Sequence, residues 1–197
     1  MYQFTDSIDP REHDAFVSAH PLCNLLQSSA WAEVKSNWDH QIVGMREGTA
    51  LIASALVLIR RLPLGLCMMY VPRGPIMDYT DRQMTQRFFD ALKRWAKKQR
   101  CIFIKMDPGI LLRSYPFGSE TPDADPAALR CIDNIKAAGA VHHGFPLLIK
   151  DSVQPRFAMG VAACDDLDKH LPQATTRSRN VALRKNVKVY EATKEEL

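Results

Sequence analysis

The sequence predicts an α+β domain on a mixed sheet, with α/β alternation in its later part. Three observations point there. Between residues 40 and 78, apolar and β-branched runs are separated only by the short breaks "REGT" and "RLPLG", the spacing of antiparallel neighbours. From residue 80 onward, helical and strand patterns alternate. Neither G-x-G-x-x-G nor G-x-x-x-x-G-K-[ST] occurs, which excludes a doubly wound nucleotide-binding fold.

Each element follows from local chemistry. "DPREHDAFVSAHP" opens with Asp9 as cap and Pro10 in the first helical position, and predicts a helix ending near His20. "SSAWAEVK" predicts a short second helix capped by Ser28 or Ser29. "HQIVGMREGTALIASALVLIRRLPLGLCMMYVPRGPIMD" reads as strand, tight turn, strand, loop, strand. "TDRQMTQRFFDALKRWAKKQR" is a helix. Thr80 and Gln83 have capping-box spacing, Met84, Phe88, Leu92 and Trp95 form one face, and Lys and Arg fill the last turn. "CIFIKMD" reads as a buried strand closing at Asp107. "DPAALRCIDNIKAAGA" is a helix with Asp125 as cap, Pro126 first and Gly139 past its end. "QPRFAMGVAAC" reads as a further strand. From about Asp165 the composition becomes highly charged: a helical or extended stretch carries Arg177, Arg179, Arg184 and Lys185, "VKVYEA" reads as a strand, and a helix capped by Thr193 starts near the last residue. A helix beginning there predicts a longer protein, with domains at 1–164 and 165–197.

Composition narrows the classes. The 197 residues are 46% hydrophobic and 24% charged, enough to bury a core and unlike a disordered chain. A net charge of +4 permits an anionic partner without requiring one. Five cysteines without a CxxC or Cys/His cluster predict reduced thiols, a cytosolic chain and no zinc site. "MYQFTDSIDP" lacks signal-peptide character, and the longest apolar run falls short of the ~20 residues that span a bilayer.

Several residues invite a chemical reading. Lys35 follows Trp31 by one helical turn, and Trp38 comes next. This is either a core Trp with a snorkelling Lys, or a cation beside an aromatic wall suited to phosphate or carbohydrate. "YVPRGPIMD" holds Arg73 and Gly74 in a proline-stiffened loop, and "IKMDPG" ends a strand at the Asp107 carboxylate; both patterns also make ordinary turns. The cations at 177–185 are a solvated face or a set of phosphate contacts. Without interleaved aromatics they suggest backbone rather than base recognition. No local nucleophile-base signature occurs, and the paired His142 and His143 cannot converge on one metal.

"QSSAWAEVKSNW", "YVPRGPIMD", "IKMDP" and "QPRFAMGV", then a basic helix entering a V-x-V strand, occur in an order that resembles the FemABX family of peptidoglycan bridge-forming peptidyltransferases. The resemblance spans nearly the whole chain. It implies two tandem subdomains like acyl-CoA N-acyltransferases (GNAT-like), the first complete here and the second only begun. It implies transfer of an amino acid from aminoacyl-tRNA to the stem peptide of lipid II or its UDP-linked precursor, with no cofactor, no metal and no DNA partner, at the inner face of the membrane. It places Lys35 on the acceptor diphosphate, and Trp38, Arg73, Gly74 and Asp107 around the acceptor cleft. Arg177, Arg179, Arg184 and Lys185 become contacts to tRNA or phosphate, and the catalytic groups fall in the missing half. Asn186 replaces the glycine usual after the basic segment and can still supply a left-handed helix stop. Alternatives are an acceptor-binding module without activity, or a conventional N-acetyltransferase, whose pyrophosphate loop this chain lacks.

Overall fold

The computed structural model describes residues 2–116, 118–145, 154–160, 164–191 and 193. They form two compact units, Met1–Gln154 and Pro155–Leu197.

The first unit is a mixed sheet between two pairs of helices. Its elements are β1 (Tyr2–Thr5), α1 (Pro10–Ala19), α2 (Ser29–Val34), β2 (Asp39–Glu47), β3 (Ala50–Arg61), β4 (Cys67–Val71), β5 (Ile76–Met77), α3 (Arg82–Lys98), β6 (Cys101–Met106) and α4 (Pro126–Ala137). The strand order is β1-β2-β3-β4-β6, with β5 on β3. All pairs are antiparallel except β4 with β6. The 17-residue helix α3 supplies the crossover that a parallel pair requires.

Side-chain alternation along β3 divides the core. Ala53, Ala55, Val57 and Ile59 face the cluster containing Phe88, Leu92 and Trp95 of α3. Leu56 and Leu58 face the opposite cluster, with Ala32 of α2, Ile42 and Tyr70, against which Trp31 and Trp38 pack. The helix starts follow the caps: Asp9 accepts from Arg11 and Glu12 N–H, Ser28 from Trp31 N–H, and Asp125 from Ala127 N–H. Gly139, at φ +87°, lies past α4 as its sequence position predicts.

Four expectations need correction. The cap of α3 is Asp81, which accepts from Met84 N–H at 2.9 Å, because the Thr80 hydroxyl turns to Asp78 at 2.6 Å. The strand β6 is not buried: Ile102 and Phe103 are 55% and 48% exposed. Among the described residues β6 pairs only with β4, and Cys101, Ile104 and Met106 are the side chains it packs against the core. Residues 154–160 and 164 contain no strand, and 161–163 lie outside the described residues. Residues 187–191 also form no strand; with no neighbour among the described residues to complete a ladder, β-branched composition alone does not make one. The helix expected after Thr193 lies outside the described residues. Two strands escaped the sequence reading, β1 and the two-residue β5.

The second unit contains α5 (Leu167–His170) and α6 (Gln173–Arg184). Asn186 ends α6 at φ +52°, in the left-handed conformation expected of it.

Candidate functional site

The site grows from the C-terminal ends of the parallel pair, where Val71 of β4 sits opposite Met106 of β6. The next residue after β6 is Asp107. Its carboxylate accepts from the Tyr70 hydroxyl, which lies 3.1 and 3.2 Å from the two oxygens, and from Arg73 N–H at 2.9 Å. Arg73 adopts φ +52°, a conformation costing a non-glycine residue roughly 1 kcal/mol. Hydrogen bonding of its N–H to a charged carboxylate offsets this by a comparable or larger amount, about 1.5–3 kcal/mol.

Burial raises the Asp107 carboxyl above its ordinary value; the hydrogen bonds from Arg73 and Tyr70 and the charges of Arg73 and Lys105 oppose that shift without overcoming it. Burial, then the nearby Asp107 charge, pushes the Tyr70 hydroxyl far up, so it remains a donor at neutral pH. Gln154 Nε2 donates to the same hydroxyl at 3.4 Å.

A buried polar chain lies beneath the loop. Gln27, fully buried, donates from Nε2 to Pro72 O at 2.6 Å and Leu56 O at 3.3 Å, and accepts from Leu56 N–H at 2.9 Å. His13, also fully buried, reaches Gln27 O through Nε2 at 2.5 Å and the Ser54 hydroxyl through Nδ1 at 2.6 Å. A carbonyl only accepts, so Nε2 carries the proton and Nδ1 accepts from Ser54. Burial lowers the His13 pKa, which agrees with this neutral tautomer.

Of the residues singled out from sequence, Arg73 meets Asp107 directly, and the adjoining Gly74 lies against the Gln27 side chain. Lys35 closes α2 with Nζ 5.3 Å from the Trp31 ring centroid, a cation–π geometry on the same sheet face as Tyr70. Trp38 packs against the same cluster. It lies 5.9 Å from the Arg60 guanidinium and lines an open groove of about 620 Å³ with Asp6, Glu33, Arg61 and Trp95. Gln27, Tyr70 and His13 were missed. Gln27 lies inside a motif singled out for its Trp and Lys, and its role depends on contacts remote in sequence.

In the second unit, α6 separates its four cations. Arg177 and Arg184 share a stripe two turns apart, and Lys185 lies beside it; all three are exposed. Arg179 is partly buried on the face carrying Thr176 and Ala182. Cys164, Asp166 and His170 hold ligand-type atoms within 4.8 Å, but all are exposed and Asp166 already pairs with Lys169 and His170. That is a solvated helix end rather than a ligand cage.

Fold and site together define a mixed-sheet domain that gathers buried donors and one carboxylate at the open end of a parallel strand pair. The chain belongs to the FemAB family, whose family model matches residues 8–197. It is 31% identical over 199 residues to a lipid II:glycine glycyltransferase of Staphylococcus aureus, covering 96% of this chain and 44% of the relative. A protein of the same description from Staphylococcus haemolyticus is 30% identical, covering 92% of this chain and 41% of the relative. The crystal structure of FemX superposes with a TM-score of 0.78 at 28% identity, over 98% of this chain and 46% of that one. The chain therefore spans less than half the length of the relatives it matches.

Proposed function

We propose that this chain is the acceptor-binding part of an aminoacyltransferase. The complete protein moves an amino acid from aminoacyl-tRNA to the stem peptide of a peptidoglycan precursor, lipid II or UDP-MurNAc-pentapeptide, and so builds the interpeptide bridge. The likeness to lipid II:glycine glycyltransferases supports the reaction class. The observation that carries the site assignment is the Asp107 carboxylate, kept in a partly desolvated position by Tyr70 and Arg73 N–H. Lys35, ordered against Trp31, supplies a charge-assisted donor for a diphosphate.

In this reading the first unit is GNAT-like, and residues 165–197 begin a second GNAT-like half that brings the catalytic groups. Arg177, Arg184 and Lys185 contact the tRNA or acceptor phosphates. Aminoacyl-tRNA is a co-substrate, and neither metal nor resident cofactor takes part. No helix among the described residues is long and apolar enough to cross a membrane. The protein works in the cytoplasm, peripheral to the inner membrane face where a lipid-linked acceptor is presented.

The test is transfer of a labelled amino acid from charged tRNA to stem-peptide precursor by the complete gene product. Transfer is expected, with Lys35→Ala raising the acceptor KM about tenfold, as loss of a charge-assisted phosphate contact does. Absence of transfer with every charged tRNA tested overturns the enzyme reading; an unchanged KM in the variant overturns the assignment of Lys35.

A further inference from the structure

The sheet has a gap beside the candidate site. Leu58 of β3 pairs with Tyr70 of β4, and Ser54 of β3 pairs with Ile76 of β5. Leu56, midway between them, directs its N–H and C=O to the same edge but meets no strand there. The chain opposite is the loop Pro72–Pro75, which leaves the sheet to carry Arg73 N–H to Asp107. The Gln27 side chain fills this gap. It accepts from Leu56 N–H and donates to both Leu56 O and Pro72 O, standing in for the absent backbone. It also sets how closely the loop approaches: a Cβ on Gly74 would lie 2.6–2.8 Å from the Gln27 amide atoms.

We infer that Gln27 is the positioning residue of the acceptor site, a side-chain splint in the sheet that holds Pro72–Gly74 where Arg73 N–H meets Asp107. The inference rests on the acceptor-site reading above for its kinetic consequence, and on geometry alone for its structural one. His13 completes the splint by fixing the Gln27 backbone carbonyl. Gln27→Glu keeps the shape but turns a donor into an acceptor facing two carbonyls, while Gly74→Ala pushes on the splint from the loop side.

Two measurements decide it. In amide hydrogen exchange, Gln27→Glu is expected to speed exchange of Arg73 N–H by roughly tenfold, the loss of about one buried hydrogen bond, while the α3 amides keep their wild-type rates. An unchanged Arg73 amide, or equal acceleration across α3, overturns the inference. In steady-state transfer by the complete gene product, the acceptor KM is expected to rise about tenfold with the aminoacyl-tRNA KM unchanged, since a displaced binding group affects its own ligand. Equal changes in both KM values, or none, overturn it. If Gln27→Glu does not fold, Gly74→Ala is measured against Gln27→Ala/Gly74→Ala. Partial recovery of acceptor KM in the double variant supports the splint, and additive losses overturn it. A wild type that transfers nothing sinks the functional reading, and the exchange measurement still judges Gln27.

Discussion

At the scale of single residues, Asp107 shows stability set against use. Its carboxyl is raised by burial despite two hydrogen bonds, so between its ordinary value and the raised one the native state binds more protons than the unfolded chain. Stability from this group is present at low pH and is lost as pH rises through the raised value. At neutral pH the charged carboxylate therefore weighs against folding. Asp107→Asn removes the charge and keeps an oxygen for Arg73 N–H, while the Tyr70 hydroxyl can turn to accept from the amide. Thermal melts at pH 7 are expected to show a Tm equal to or above wild type. Binding of UDP-linked precursor is expected to fall about tenfold or more, as loss of a charged partner does. A lowered Tm with intact binding would make Asp107 a structural residue and remove it from the site.

At the scale of elements, the sequence was informative where one segment decides its own state. Asp9-Pro10 and Asp125-Pro126 start α1 and α4 because capping is local, and the Met84, Phe88, Leu92 and Trp95 face of α3 is buried as its period requires. It misled where the outcome belongs to a neighbour. The apolar "CIFI" reads as buried, yet among the described residues β6 pairs along one edge only, and "VKVYEA" likewise finds no strand beside it there. Arg73, Gly74 and Asp107 were legible as loop and strand-end chemistry, whereas the contact of Gln27 with Pro72 joins residues far apart in sequence. Helix geometry likewise sorts the cations that sequence had grouped. If the exposed stripe of α6 holds tRNA phosphates, Arg177→Ala and Arg184→Ala should each lower tRNA affinity and reduce the slope of log affinity against log salt by roughly one. Arg179→Ala, on the partly buried face, should leave that slope unchanged. Equal slopes in all three variants would remove the stripe from the tRNA path.

At the scale of the whole molecule, the splint couples the site to the stability of the first unit. His13 joins α1 to β3 through Ser54 and to the Gln27 carbonyl, and its burial favours the neutral form. Its pKa is lowered, first by burial, against the opposing influence of the Gln27 carbonyl and Asp14. In the window between the lowered folded value and the ordinary histidine value of about 6.5, the unfolded chain binds more protons than the native one. Stability is therefore complete above the ordinary value and falls as pH drops through that window. A protonated His13 could no longer accept from Ser54, whose hydroxyl would turn to Val43 O, 3.4 Å away. All three tryptophans lie in this unit, so their fluorescence reports its unfolding. The urea midpoint is expected to be lower at pH 5.5 than at pH 7.5 in the wild type. His20 is shifted in the same direction, so the decisive comparison is His13→Gln. That variant should start less stable at pH 7.5 and lose less between the two pH values. An identical pH loss in both proteins would show that His13 does not carry the acid sensitivity.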